Sequence, residues 1–124
     1  MNRPLALLAY EKLFPGTQLA NRLQDLGYRV MPVGNAAELS AVAEREKPLV
    51  VLVDIEPNTA QRTSAIAALR ASESTAHIPV IAFASARNEA AQEQARQAGA
   101  TLVVHDNSIL AHLNQFLDQA LLVE

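Results

Sequence analysis

The run Leu49-Val50-Val51-Leu52-Val53 constrains this chain more than any other stretch, because five apolar residues in succession end on a carboxylate, Asp54. Three of the five are β-branched, which favours an extended backbone. No polar residue alternates with them, so a strand here has both faces buried, as a central strand of a parallel sheet does. Open α/β sheets collect their ligands at the carboxyl ends of such strands, and Asp54 stands at that end. The plainer reading gives Asp54 only a turn or a helix cap.

The remaining segments supply neighbours for this strand. Residues 5–9 form a first apolar run, after which Leu19, Leu23 and Leu26 recur at helical spacing and Gly27 offers a left-handed end. Residues 28–33 alternate polar and apolar, and Pro32 places them at a sheet edge. Asn35-Ala36-Ala37-Glu38 has the form of a capping box, opening a helix that turns Leu39 and Val42 inward and stops at Pro48. Asn58 or Thr59 caps a third helix whose apolar stripe is Ile66 and Leu69, ending within Ser72-Glu73-Ser74-Thr75. Residues 78–84 read as a fourth strand with Pro79 near its start. Asn88-Glu89 opens a fourth helix that Gly99 closes; it has almost no large apolar side chain, so weak packing is expected. Residues 101–105 give a fifth strand. Ser108 caps a last helix with Leu110, Leu113, Phe116, Leu117 and Leu121 on one face. Leu122 and Val123 beyond it either cover a dimer contact or cap the core.

Five strands alternating with five helices imply parallel pairing through right-handed crossovers. No linker or low-complexity tract interrupts residues 1–124, so a single α/β domain is expected.

Composition removes several functions. Hydrophobic residues make up 50% of the chain, yet no run nears the ~18 apolar residues of a membrane span. Met1-Asn2-Arg3-Pro4 gives way to a strand pattern too soon for a signal peptide. With no cysteine there is no disulfide, thiolate nucleophile or Cys-ligated metal, which fits a cytoplasmic protein. A net charge of −3 without a Lys/Arg block gives little support for direct nucleic-acid binding. There is no Gly-x-Gly-x-x-Gly after the first strand, no phosphate-binding Gly-rich loop ending in Lys-Ser/Thr, and no Gly-x-Ser-x-Gly elbow. His77, His105 and His112 lack metal-ligand spacing. No enzyme activity is therefore expected.

Three stretches resemble the receiver domains of bacterial two-component response regulators. Val50-Val51-Leu52-Val53-Asp54 is similar to the family's phosphoacceptor strand. Ile78-Pro79-Val80-Ile81-Ala82-Phe83-Ala84-Ser85 resembles its fourth strand, and Gln97-Ala98-Gly99-Ala100 the Ala-Gly-Ala before its fifth. The resemblance spans essentially the whole chain. It implies a flavodoxin-like (βα)5 three-layer sandwich, with a five-stranded parallel sheet in the order 2-1-3-4-5.

The same resemblance implies a site that has lost its chemistry. The acidic pair that holds Mg²⁺ in the family falls on Ala9 and Tyr10, with Glu11 one place late. The Thr or Ser that bonds the phosphoryl group falls on Ala84; the neighbouring Ser85 points to the opposite face of a strand. The aromatic switch residue falls on Val103. Asp106 stands where a Lys neutralises the phosphoryl group, and Asn107 follows in place of Pro. Two carboxylates ~5 Å apart at an effective dielectric of ~20 repel by about 3 kcal/mol. A cation held jointly by Glu11, Asp54 and Asp106, or a side chain such as Lys12 or Arg87 reaching in, could offset that repulsion. The His105-Asp106 pair is otherwise expected to be solvated.

The expected function is thus a receiver-like module of two-component signalling, independent of phosphorylation and of any cofactor. It would act on other signalling proteins, or on a second copy, through the face of the fourth helix, fifth strand and fifth helix. One alternative is a receiver phosphorylated on Asp54 with an atypical Mg²⁺ site. Another is a small-ligand sensor whose cleft above Asp54 is lined by Arg87, His105 and Asn107.

Overall fold

The computed structural model describes residues 3–11 and 13–122, and within them every side chain but those of Leu13, Phe14 and Leu122. The expectations for Lys12, Leu122 and Val123 lie outside what is described. Three strands are buried from end to end: β1 (Leu5–Ala9), β3 (Val50–Asp54) and β4 (Val80–Ala84). With β2 (Arg29–Val33) and β5 (Leu102–His105) at the edges they form one parallel sheet in the order β2-β1-β3-β4-β5. The expected order is the observed one, with Pro32 on the edge strand β2.

Strand alternation sorts the core into two layers. Leu7, Val51, Val53, Val80 and Ala82 face α2 (Leu39–Glu46), α3 (Thr59–Ala71) and α4 (Glu89–Ala98), meeting Leu39, Ile66, Leu69, Ala91 and Ala95. Leu8, Leu52, Ile81 and Phe83 face α1 (Leu13–Asp25), the short α5 (Asp106–Ile109) and α6 (Leu113–Leu122). There they meet Leu19, Leu23, Ile109, Leu113 and Leu117. The sheet therefore lies between two helical layers. No helix among the described residues is long and apolar enough to cross a membrane.

Four local expectations change. Leu26 is 37% exposed because α1 stops at Asp25 and Gly27, at φ +97°, turns the chain away. Asn35 caps a single 3-10 turn (Ala36–Glu38), from which α2 then follows. Asn58 precedes α3 in the left-handed region (φ 64°) and makes no cap, because its side chain is engaged elsewhere. The last helix is divided: α5 brings Ile109 into the core, the chain bends through residues 110–112, and α6 then lays Leu113, Leu117 and Ala120 on the sheet. Ser108 consequently lies inside α5, and Leu110 is only partly buried.

Arg70, near the end of α3, joins three segments at the amino edge of the sheet. Its Nε donates to Gly99 O (2.7 Å), its Nη1 to Ala76 O and Ile78 O (2.7 Å each), and its Nη2 to Thr101 Oγ1 (3.0 Å). Gly99, at φ +109°, leaves room for the arginine stem, since a Cβ there would lie 2.7 Å from Arg70 Cγ. Burial pulls the Arg70 pKa down from its ordinary value. Arg70→Met keeps the stem but strands three carbonyls, and is expected to lower the unfolding free energy by about 2–4 kcal/mol in urea denaturation followed by circular dichroism.

Candidate functional site

The chain leaves β1 toward β2 on one side and β3 toward β4 on the other, so the loops after β1 and β3 part at the carboxyl edge and leave a crevice. Asp54 ends β3 there and is 0% exposed. Its Oδ1 accepts the Glu56 amide at 3.1 Å, closing an Asx turn as the plainer sequence reading expects.

Ala9 and Ala84 end β1 and β4, both fully buried in the same apolar layer. Tyr10 lies over Gly16, where an added Cβ would fall inside the tyrosine ring. Ser85 turns its Oγ to the Arg87 amide (3.2 Å), and the Arg87 side chain is exposed. Val103 is a half-buried residue of β5 packed on the α2–α4 layer.

Glu11, one place beyond the family's acidic pair, is held by α3. Its Oε2 accepts from Arg62 Nη2 and from Asn58 Nδ2, each at 2.9 Å. Arg62 is 1% exposed whereas Glu11 is 45% exposed. A buried guanidinium here was not foreseen, although Arg62 lies four residues before Ile66 and seven before Leu69, on the same helical stripe. Among the described residues its Nε and Nη1 find no hydrogen-bond partner. The hydrogen bond from Arg62, followed by that from Asn58, holds the Glu11 pKa below its ordinary value.

Asp106 is further from Asp54 than the sequence suggests. Asp54 pairs with Phe83 on β4, Phe83 pairs with Val104 on β5, and Asp106 lies two residues beyond Val104 at the start of α5. Two strand spacings across the sheet and two residues along it separate the two positions by roughly 12 Å. The repulsion between the two carboxylates then falls to about 1.4 kcal/mol at an effective dielectric of ~20. A lysine stem could span that gap where an aspartate cannot, so the loss of an attraction matters more than the new repulsion. His105 is exposed and makes no ion pair with Asp106 among the described residues.

Glu56 bridges the other side. Its Oε1 accepts from Ser85 N (2.9 Å) and its Oε2 from Asn88 Nδ2 (2.6 Å), joining the loop after β3 to the loop after β4. Among the described residues four clefts stand out, and Asp54 is not in the lining of these four. The most apolar, about 400 Å³, lies between the 3-10 turn and α3. Two more run along α4 and β5 and share Gln92, Arg96 and His105. Arg87 and Asn107 line none of the four.

No family model and no curated protein matches the chain. Solved structures do. The receiver domain of sensor histidine kinase PA1611 from Pseudomonas aeruginosa is 25% identical, with a TM-score of 0.86 over 97% of this chain and 98% of that one. A two-component response regulator of the LuxR family from Aurantimonas is 19% identical, with a TM-score of 0.81 over 97% and 86%. The signal receiver domain of a modulated diguanylate cyclase from Desulfovibrio desulfuricans is 21% identical, with a TM-score of 0.79 over 97% and 94%. The fold is that of a receiver domain.

Within the receiver fold, the Pseudomonas domain has a magnesium ion coordinated in its active-site cleft. The donors here do not fit such an ion. Alanine and tyrosine stand at the acidic pair, and Arg62 and Asn58 occupy Glu11. Among the described residues no three Asp, Glu or His side chains lie together, so Glu11, Asp54 and Asp106 do not form the metal site envisaged for them.

The Arg62–Glu11 pair is lopsided, and its two halves respond differently to mutation. Glu11→Gln leaves a buried cation without its counter-charge and is expected to lower the urea midpoint clearly. Arg62→Met leaves an exposed carboxylate that water can solvate, and is expected to hold or raise the midpoint. Because the Glu11 pKa is depressed on folding, the pair's stabilisation is present above the ordinary glutamate pKa and is lost as pH falls through the lowered value. A carboxyl-carbon NMR titration is expected to show Glu11 protonating late in wild type and closer to its ordinary pH in Arg62→Met, where only the Asn58 bond still holds it down.

Proposed function

We propose that this chain is a receiver-like module of two-component signalling that works by protein–protein contact, without phosphorylation of Asp54 and without Mg²⁺. The observation that carries this reading is the bonding of Glu11 to Arg62 and Asn58, which puts a fixed guanidinium beside the loop where receivers bring a metal. Full burial of Asp54 and the methyl side chain of Ala84 support it further. The module is not an enzyme on this reading. The lack of cysteine fits residence in the cytoplasm.

Its partners are other signalling proteins or a second copy, met through α4, β5 and α6. Two features favour that face. β5 is an edge strand with Leu102, Val103 and Val104 only partly covered. Clefts lined by Gln92, Arg96, His105, Ser108 and Phe116 run beside it.

Incubation with acetyl phosphate and Mg²⁺, read by intact-protein mass spectrometry, is expected to leave the mass unchanged. Uptake of one phosphoryl group, abolished by Asp54→Asn, would overturn the proposal. If Glu11→Gln abolished it too, the atypical phospho-receiver would be the correct reading.

A further inference from the structure

Glu56 has two partners on the far side of the crevice, and both belong to the segment that starts α4. The Ser85 amide and the Asn88 side-chain amide each donate to one of its carboxylate oxygens, at 2.9 and 2.6 Å. Asn88 uses its other side-chain atom, Oδ1, to accept the Ala91 amide at 3.1 Å and so caps α4. Gln92, one residue on, returns its Nε2 to Ser85 O at 2.9 Å. A continuous chain of hydrogen bonds therefore runs from Glu56 through Ser85 and Asn88 into the first turn of α4.

We infer that Glu56 is a built-in latch, a positioning residue whose carboxylate ties the start of α4 to the end of β3 and so presents the α4 face in one state without any added group. Three considerations support this. Hydrogen bonds to an ionised carboxylate are the strong ones, and 2.6 Å is short for a nitrogen donor. The negative charge lies ahead of the first turn of α4, where the helix dipole favours it. The inner face of α4 consists of Ala91, Gln92 and Ala95, so little apolar area competes with the polar tie for control of the helix. The latch goes beyond the proposed function and stands on these bonds whether or not Asp54 takes up phosphate.

The test is backbone amide hydrogen exchange on the whole chain, comparing residues 85–98 with β1 and β3. Glu56→Gln turns one acceptor into a donor facing another donor, and is expected to speed exchange across residues 85–98 about tenfold or more while leaving β1 and β3 unchanged. Asn88→Asp alone sets two carboxylates against each other and is expected to do the same. The double variant Glu56→Gln/Asn88→Asp reverses the polarity of the bridge. The new amide then donates to the new carboxylate, which still caps Ala91, and protection is expected to return to within about twofold of wild type. Unchanged exchange in Glu56→Gln would overturn the latch. So would equal acceleration in β1, β3 and α4, or a double variant as fast as the two single changes combined.

Discussion

The guanidinium of Arg62 lies where water cannot hydrate it, and a buried charge of that kind is tolerable only beside a counter-charge. Glu11 supplies it from the loop after β1, reaching down from a half-exposed position. The pairing fixes two things together. It ties the β1–α1 loop to α3, and it spends the carboxylate nearest to the positions of the acidic pair, Ala9 and Tyr10, on an internal cation. Asn58 abandons its capping role before α3 to donate to the same oxygen, so the start of α3 is shaped by this pair.

On the opposite side of Asp54, Glu56 makes the complementary join between the loops after β3 and β4. The crevice is thus bridged on both flanks by carboxylates of the chain itself. In the receiver family, as the resemblance has it, these same loops hold a metal and a phosphoryl group. Here the bridges need neither, because their donors are a guanidinium, two side-chain amides and a backbone amide. Asp54 accepts a bond from the backbone amide of Glu56 itself. What is left to vary is the outer surface of α4 and β5, where small and polar side chains give way to shallow clefts.

Much of this architecture can be read from residue order. Unbroken apolar runs at residues 50–53 and 80–84 specify strands buried on both faces, and the resemblance supplies the order in which they pair. The replacements at Ala9, Tyr10, Ala84 and Asp106 are equally plain. The bonds made by Arg62 and Glu56 are not. Arg62 falls on the apolar stripe of α3, but charge on such a stripe normally marks its rim, so its burial was invisible without Glu11 in place. Glu56 reads as an ordinary loop acid because its partners lie 29 and 32 residues away. The bend at residues 110–112 has no Gly or Pro to announce it, and the distance from Asp54 to Asp106 depends on an intervening strand that pattern alone does not measure.

On the proposed reading, the protein's own guanidinium stands in place of a cation from solution. Titrating Mg²⁺ to millimolar concentration while following backbone amide NMR signals therefore tests the site directly. A built-in guanidinium predicts no saturable shift at residues 9–11 or 54–58, and the appearance of such a shift only after Arg62→Met would agree with it. A saturable shift centred on those residues in the wild-type chain would contradict it.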